Sequence, residues 1–341
     1  MSDVNLEQTA RALVAAGKGI LAADESSGTI KKRFDSIRIE SSEDSRRAYR
    51  EMLFGTEGVE EFISGVILYD ETIRQSASDG TPFVKLLQDR GVIPGIKVDL
   101  GAKPLAFTPD EKVTEGLDGL RERLAEYRAM GCRFAKWRAV IAIDEAAGLP
   151  SDACIDVNAH ALARYAALCV EQDLVPIVEP EVLMDGAHPT AACAAATERT
   201  LRRVFAALAE QRVPLEEILL KPNMVVSGSL CPEQAGPEAV ARATVACFRR
   251  VVPAAVPGIV FLSGGQSDVE ATANLNAINA LGENLPWQMS FSYGRALQAP
   301  PLKAWLGQAA NRQKAQQAFF QRARLNGAAR SGQYSAAMET G

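Results

Sequence analysis

Several short apolar runs in this sequence close on residues that can do chemistry. "EILLKP" (217–222) carries Lys221 past two leucines, and "VPIVEPE" (175–181) carries Glu179 and Glu181. "RFAKWRAVI" (133–141) carries Lys136 and Arg138, and "GILAAD" (19–24) ends in Asp24. Charges on segments built for burial are costly unless paired. For any one of them, a local ion pair at a strand end is the simpler reading. For so many together, a shared polar site is. A lysine in an apolar setting, or beside another cation, holds its proton less tightly, and the free amine can add to a ketone or aldehyde to form a Schiff base. The protonated imine withdraws electrons and stabilises a neighbouring carbanion as an enamine, which is carbon–carbon lyase chemistry without a metal. In that chemistry Lys221 is the nucleophile, Lys136 a second cation, Glu179 a proton donor, and Asp24 the group that handles a substrate hydroxyl. Spacing leaves Lys136 open as a rival nucleophile. It also leaves Lys221 open as a phosphate ligand or as half of an ion pair.

Two glycine-containing turns point to an anionic substrate. "SGGQ" (263–266) and "SYGRA" (292–296) each close an apolar run and precede a helical pattern. Glycine lets backbone N–H groups approach an anion, and a helix N-terminus favours negative charge. Arg295 adds a planar fork for phosphate oxygens. A second basic segment, "SSGTIKKRF" (26–34), offers Ser26, Thr29, Lys32 and Arg33. It reads equally as a solvated helix face. If both are anion sites, the substrate carries two phosphates with the reacting centre between them.

The elements that must position these groups alternate. Strands are expected at 19–24, 63–69, 92–98, 133–141, 175–181, 217–222, 258–265 and 287–294. Between them lie amphipathic segments near 43–54, 117–127, 154–172, 190–211, 234–250 and 267–281, and a last helix near 301–326. Leu117, Leu120, Leu124 and Tyr127 mark one helical face by their spacing. Eight strand-then-helix units fit an α/β fold, a (β/α)8 TIM barrel, whose parallel strands read as continuous apolar runs. An open doubly wound sheet would carry a glycine-rich turn after an early strand, and "ESSGTI" is not one. No linker divides the chain, so residues 1–341 are expected to form one barrel domain. The small, polar stretch from about 327 to 341 is expected to be a flexible tail.

Composition narrows the class. A net charge of -5, with both signs interspersed, gives no footprint for nucleic acid or a membrane surface. No apolar run reaches the roughly 20 residues of a membrane span, and the amphipathic N-terminus is no secretory signal. The six cysteines form no CxxC pair and read as reduced thiols, so a cytoplasmic setting is expected. His160 and His188 are the only histidines, too few and too far apart for a typical zinc site, and no metal or cofactor is expected.

With these residues in view, the chain resembles the class I fructose-bisphosphate aldolases. "ILAADES", "FAKWRAVI", "VPIVEPEVL", "LLKPNMV", "FLSGGQS" and "FSYGRALQA" carry the resemblance, in order, along nearly the whole chain. It implies a homotetrameric barrel and the reversible glycolytic cleavage of fructose 1,6-bisphosphate to dihydroxyacetone phosphate and glyceraldehyde 3-phosphate. It implies Lys221 as the Schiff-base lysine and Glu179 as acid and base for imine formation, with Glu181 beside it. Asp24 would act on the C4 hydroxyl, and Lys136 would stabilise charge with Arg138 nearby. Ser263, Gly264, Gly294 and Arg295 would hold the C1 phosphate, Ser26, Thr29 and Arg33 would contribute to the C6 phosphate site, and Ser292 is expected to bind substrate. The sequence also departs from the family pattern. Leu100, in "VDLG", stands where many relatives have an active-site lysine, and Lys103 is expected to substitute from the loop. Glu217 stands where glycine is usual, at the start of a strand. No tyrosine follows Tyr334, so proton exchange on the dihydroxyacetone phosphate half is expected to be slower than in animal relatives.

Overall fold

A computed structural model describes residues 5–340. Eight strands close a barrel: β1 (Gly19–Ala22), β2 (Ile63–Leu68), β3 (Ile93–Lys97), β4 (Phe134–Ile141), β5 (Val175–Val182), β6 (Leu219–Leu220), β7 (Gly258–Phe261) and β8 (Gln288–Tyr293). Each pairs in parallel with its neighbours in sequence, and β8 returns to β1 through Ile20 opposite Ser292 and Leu21 opposite Tyr293. Among the described residues twelve α-helices accompany them: α1 (Leu6–Leu13), α2 (Ser27–Ser36), α3 (Glu43–Phe54), α4 (Asp70–Ile73), α5 (Phe83–Asp89), α6 (Leu120–Ala129), α7 (Asp152–Glu171), α8 (Thr190–Glu210), α9 (Pro237–Val251), α10 (Asp268–Asn279), α11 (Arg295–Trp305) and α12 (Arg312–Arg330). The expected (β/α)8 barrel is the fold observed. No helix among the described residues is long and apolar enough to cross a membrane.

The period of two along each strand divides the barrel into a dry floor and a charged mouth. Ile20, Ala22, Ile67, Phe134, Val175, Ile177, Leu219 and Val260 form one inner cluster, plugged from below by Leu6, Ala10 and Leu13 of α1. Two or four residues further along the same faces stand Asp24, Lys136, Arg138, Glu179, Glu181 and Lys221, all lining one cavity. The alternate positions, among them Leu21, Ala135, Trp137, Val178, Leu220 and Phe261, pack outward in the larger core. The floor is tight. A Cβ built on Gly95 would stand 2.3 Å from the Phe134 ring, so β3 must offer glycine there.

Four features differ from the sequence-based expectation. β6 is only two residues long, because Pro222 has no N–H to continue the ladder toward β5; the last N–H donated to β5 is that of Lys221, to Val178 O (2.8 Å), while Pro222 O still accepts the Leu262 N–H (3.2 Å). A small antiparallel hairpin pairs Ala102–Pro104 with Lys112–Thr114, outside the barrel. Its three-residue strands are too short to show an alternation. The last helix is two helices. Pro300 and Pro301 lie inside α11, which survives by burying Leu297, Leu302 and Trp305, and the chain then breaks at Leu306 (φ 51°) and Gly307 (φ 69°). Finally, α12 runs on to Arg330, past the point near 327 where the tail was expected to begin. Leu325, Asn326 and Ala329 are buried along it, and Tyr334 beyond it is buried as well.

Candidate active site

At the C-terminal mouth of the barrel lies a cavity of about 1190 Å³. Its centre is a chain of alternating charges. Lys221, at the end of β6, is 4% exposed, and its Nζ is 3.2 Å from Oε1 of Glu179 on β5. Oε2 of the same carboxylate is 3.4 Å from Lys136 Nζ on β4. Lys136 also lies 2.7 Å from Asp24 Oδ2, just beyond β1, and 4.0 Å from Asp99 Oδ2, just beyond β3. One ammonium group is therefore caged by three carboxylates, while the other faces one.

These contacts set the proton affinities. Burial would raise the Asp24 carboxyl, but the Lys136, Lys221 and Lys97 ammonium groups outweigh it and hold Asp24 well below the usual carboxylate range. Burial would likewise lower Lys136. Asp24, Glu179 and Asp99 reverse this and push it well above its ordinary value, so it stays an ammonium. Glu181 pairs with Nε of Arg138, yet burial and the neighbouring Glu179 charge still raise its carboxyl.

The flanks of the cavity suit anions. Ser263, Gly264 and Gly265 follow β7, while Ser292, Gly294 and Arg295 close β8 and open α11. A Cβ on Gly264 would meet the Glu181 side chain, with Oε1 at 2.7 Å, so a larger residue there would push on that carboxylate. The Ser292 hydroxyl is buried, lines the cavity and has no hydrogen-bond partner among the described residues. Across the mouth, Ser26 caps α2, with its Oγ 3.4 Å from the Thr29 N–H and 3.1 Å from the Thr29 hydroxyl. Lys32 and Arg33 follow on that helix, and both line the cavity. Arg295 is exposed and makes no ion pair among the described residues; Arg33 pairs with Glu25.

The structure thus brings together Asp24, Ser26, Thr29, Arg33, Lys136, Arg138, Glu179, Glu181, Lys221, Ser263, Gly264, Ser292, Gly294 and Arg295. It does not bring in Lys103. That residue is exposed on the outer hairpin, where pairing with Val113 holds it away from the cavity lining. The cation that β3 does supply is Lys97, 2.6 Å from Asp99 Oδ1. Lys97 lies inside the expected strand 92–98, one residue before its last, so the pattern of charges at strand ends does not mark it. Asp99 is the organiser of this side: it also accepts the Gly101 N–H (3.1 Å) and the Arg138 N–H (3.2 Å), stitching the ends of β3 and β4 together. Leu100, beside it, is 63% exposed at the cavity's edge.

A caged ammonium, an amine beside a carboxylate and two flanks bearing basic and backbone N–H donors suit the making and breaking of an imine on a phosphorylated carbonyl compound. Comparisons with known proteins agree. The family model for fructose-bisphosphate aldolase class-I matches residues 5–341. The chain is 58% identical over 335 residues to a probable fructose-bisphosphate aldolase class 1 of Xanthomonas campestris, covering 98% of this chain and 99% of that one. It is 56% identical over 329 residues to fructose-bisphosphate aldolase 1 of Toxoplasma gondii, covering 96% and 90%. A crystal structure of Plasmodium falciparum fructose-bisphosphate aldolase, solved with TRAP and a small-molecule inhibitor, superposes with a TM-score of 0.96 at 53% identity, over 97% of this chain and 95% of that one. The chain belongs to the class I fructose-bisphosphate aldolase family.

Proposed function

We propose that Lys221 is the amine that attacks the C2 ketone in the reaction of this metal-independent lyase, the reversible aldol cleavage of fructose 1,6-bisphosphate. Glu179, at 3.2 Å, takes the amine's proton and then protonates the departing carbinolamine hydroxyl, which leaves as water. The resulting iminium draws the C3–C4 bonding electrons into an enamine as that bond breaks. Asp24, held as a carboxylate, accepts the C4 hydroxyl proton, and glyceraldehyde 3-phosphate leaves. Protonation of the enamine at C3 and hydrolysis of the imine release dihydroxyacetone phosphate and restore the amine. Lys136 stays cationic beside the forming charges, and the Arg138–Glu181 pair borders the substrate. Ser263, Gly264, Ser292, Gly294 and Arg295 hold the C1 phosphate; Ser26, Thr29 and Arg33 hold the C6 phosphate.

The observation that supports Lys221 over Lys136 is the number of carboxylates around each. Lys136 has three within 4.0 Å and keeps its proton, whereas Lys221 has one, placed to remove it. Lys221→Met is expected to abolish cleavage, while a chelator leaves the unsubstituted enzyme unaffected. Turnover retained by Lys221→Met would overturn the assignment. Comparing fructose 1,6-bisphosphate with fructose 1-phosphate tests the second phosphate site, with a lower KM expected for the bisphosphate. A cytoplasmic homotetramer completes the proposal; it is supported by family membership, and light scattering at the protomer mass would contradict the tetramer.

A further inference from the structure

Of the two arginines assigned to phosphate, Arg295 makes no ion pair among the described residues and Arg33 does. Arg33 Nη1 pairs with Glu25, whose side chain is 4% exposed. A guanidinium fully matched by a carboxylate retains little attraction for a dianion. Behind Glu25 lies a third charge. Arg50 on α3 is 3% exposed, and its Nη2 is 2.6 Å from Glu25 Oε2. Glu25 Oε1, the oxygen that faces Arg33, also accepts Gln298 Nε2 (2.7 Å), which fixes the carboxylate between the two arginines. Arg50 does not line the cavity. Its Nε and Nη1 are buried with no hydrogen-bond partner among the described residues. A guanidinium kept for its hydrogen bonds would use those donors. This one contributes its charge, and the three side chains together sum to one positive charge.

We propose that Arg50 is a positioning residue: by sharing Glu25 with Arg33, it leaves the Arg33 guanidinium with positive charge to spend on the substrate's phosphate. The proposal rests on the reading of Arg33 as a phosphate ligand. Without Arg50, Glu25 matches Arg33 alone and the site becomes neutral. A unit charge acting across one intervening side chain, at an effective dielectric of about 20, changes an equilibrium on the order of tenfold.

The test is steady-state cleavage of fructose 1,6-bisphosphate by Arg33→Ala, Arg50→Met and the double variant Glu25→Gln/Arg50→Met, with inorganic phosphate as a competitive inhibitor. Arg33→Ala should raise KM on the order of tenfold or more. Arg50→Met should raise KM and the inhibition constant for phosphate on the order of tenfold, with kcat within about twofold. The double variant still lacks the buried arginine but leaves Arg33 unmatched, so its KM should return to within about threefold of the unsubstituted enzyme. An unchanged KM in Arg50→Met, or a double variant as weak as Arg50→Met, overturns the proposal. An unchanged KM in Arg33→Ala overturns the phosphate reading of Arg33, and the proposal with it. Should Arg50→Met not fold, Arg50→Lys and the double variant carry the test. Both keep one positive charge, both should stay within about threefold in KM, and a tenfold rise in either is the overturning result.

Discussion

Lys136→Met is the perturbation whose consequences can be worked furthest. Lys136 is 4% exposed in its side chain and touches Asp24 at 2.7 Å, Glu179 at 3.4 Å and Asp99 at 4.0 Å. Methionine fills nearly the same volume, so the loss is one of charge. Asp99 keeps Lys97 at 2.6 Å and Glu179 keeps Lys221 at 3.2 Å, leaving Asp24 as the orphan. Removing one partner of a buried pair costs about 3–5 kcal/mol, and the two surviving lysines argue for about 3. The pH dependence follows from Asp24. In the native protein its folded pKa lies below the unfolded value of 3.8, so its stabilisation is fully present above that value and is lost only as pH falls through it. In Lys136→Met, burial is the dominant influence and the folded pKa moves above 3.8. The penalty is then absent at low pH, grows as pH rises above 3.8 and levels off above the new folded value. Urea unfolding at pH 5 and pH 8 should therefore show a larger deficit at pH 8. Adding Asp24→Asn should recover most of the stability and none of the activity, which falls about 10³-fold or more in Lys136→Met. A deficit equal at the two pH values, or under about 1 kcal/mol at pH 8, would refute the reasoning.

Glu179→Gln keeps the shape of the side chain but cannot take a proton from Lys221. Imine formation, followed by the rate of reductive trapping, should slow by about 10²–10⁴-fold while phosphate inhibition is unchanged. Gly95→Ala drives a methyl group into the Phe134 ring at 2.3 Å. It should cost about 1–3 kcal/mol in urea unfolding, and a variant as stable as the parent would mean the floor is looser than described.

Much of this site was legible because strands alternate. Asp24, Lys136, Glu179 and Lys221 each follow an apolar residue two positions earlier, on the face that fills the barrel floor, so the sequence alone placed them at one mouth. What it could not reach depends on distances between strands. Spacing within β4 or β6 leaves Lys136 and Lys221 as rivals; the resemblance named Lys221, and the physical support for it, Asp24 and Asp99 flanking Lys136 from two other strands, is what spacing could not supply. Arg50 lies on an outer helix and meets Glu25 only when α3 packs against the barrel, so no local pattern marks it. Lys103 failed for a related reason. A three-residue hairpin carries no periodic signal, and that hairpin is what turns the loop outward. The break at Leu306 was hidden because a leucine with positive φ looks, in sequence, like one more helix former.

The central claim is that Lys221, and not Lys136, forms the covalent bond to substrate. Its most direct test is borohydride reduction of the enzyme in the presence of dihydroxyacetone phosphate, followed by peptide mass mapping. The account predicts a single reduced adduct on the peptide bearing Lys221. An adduct on Lys136, or no adduct while cleavage proceeds, would contradict it.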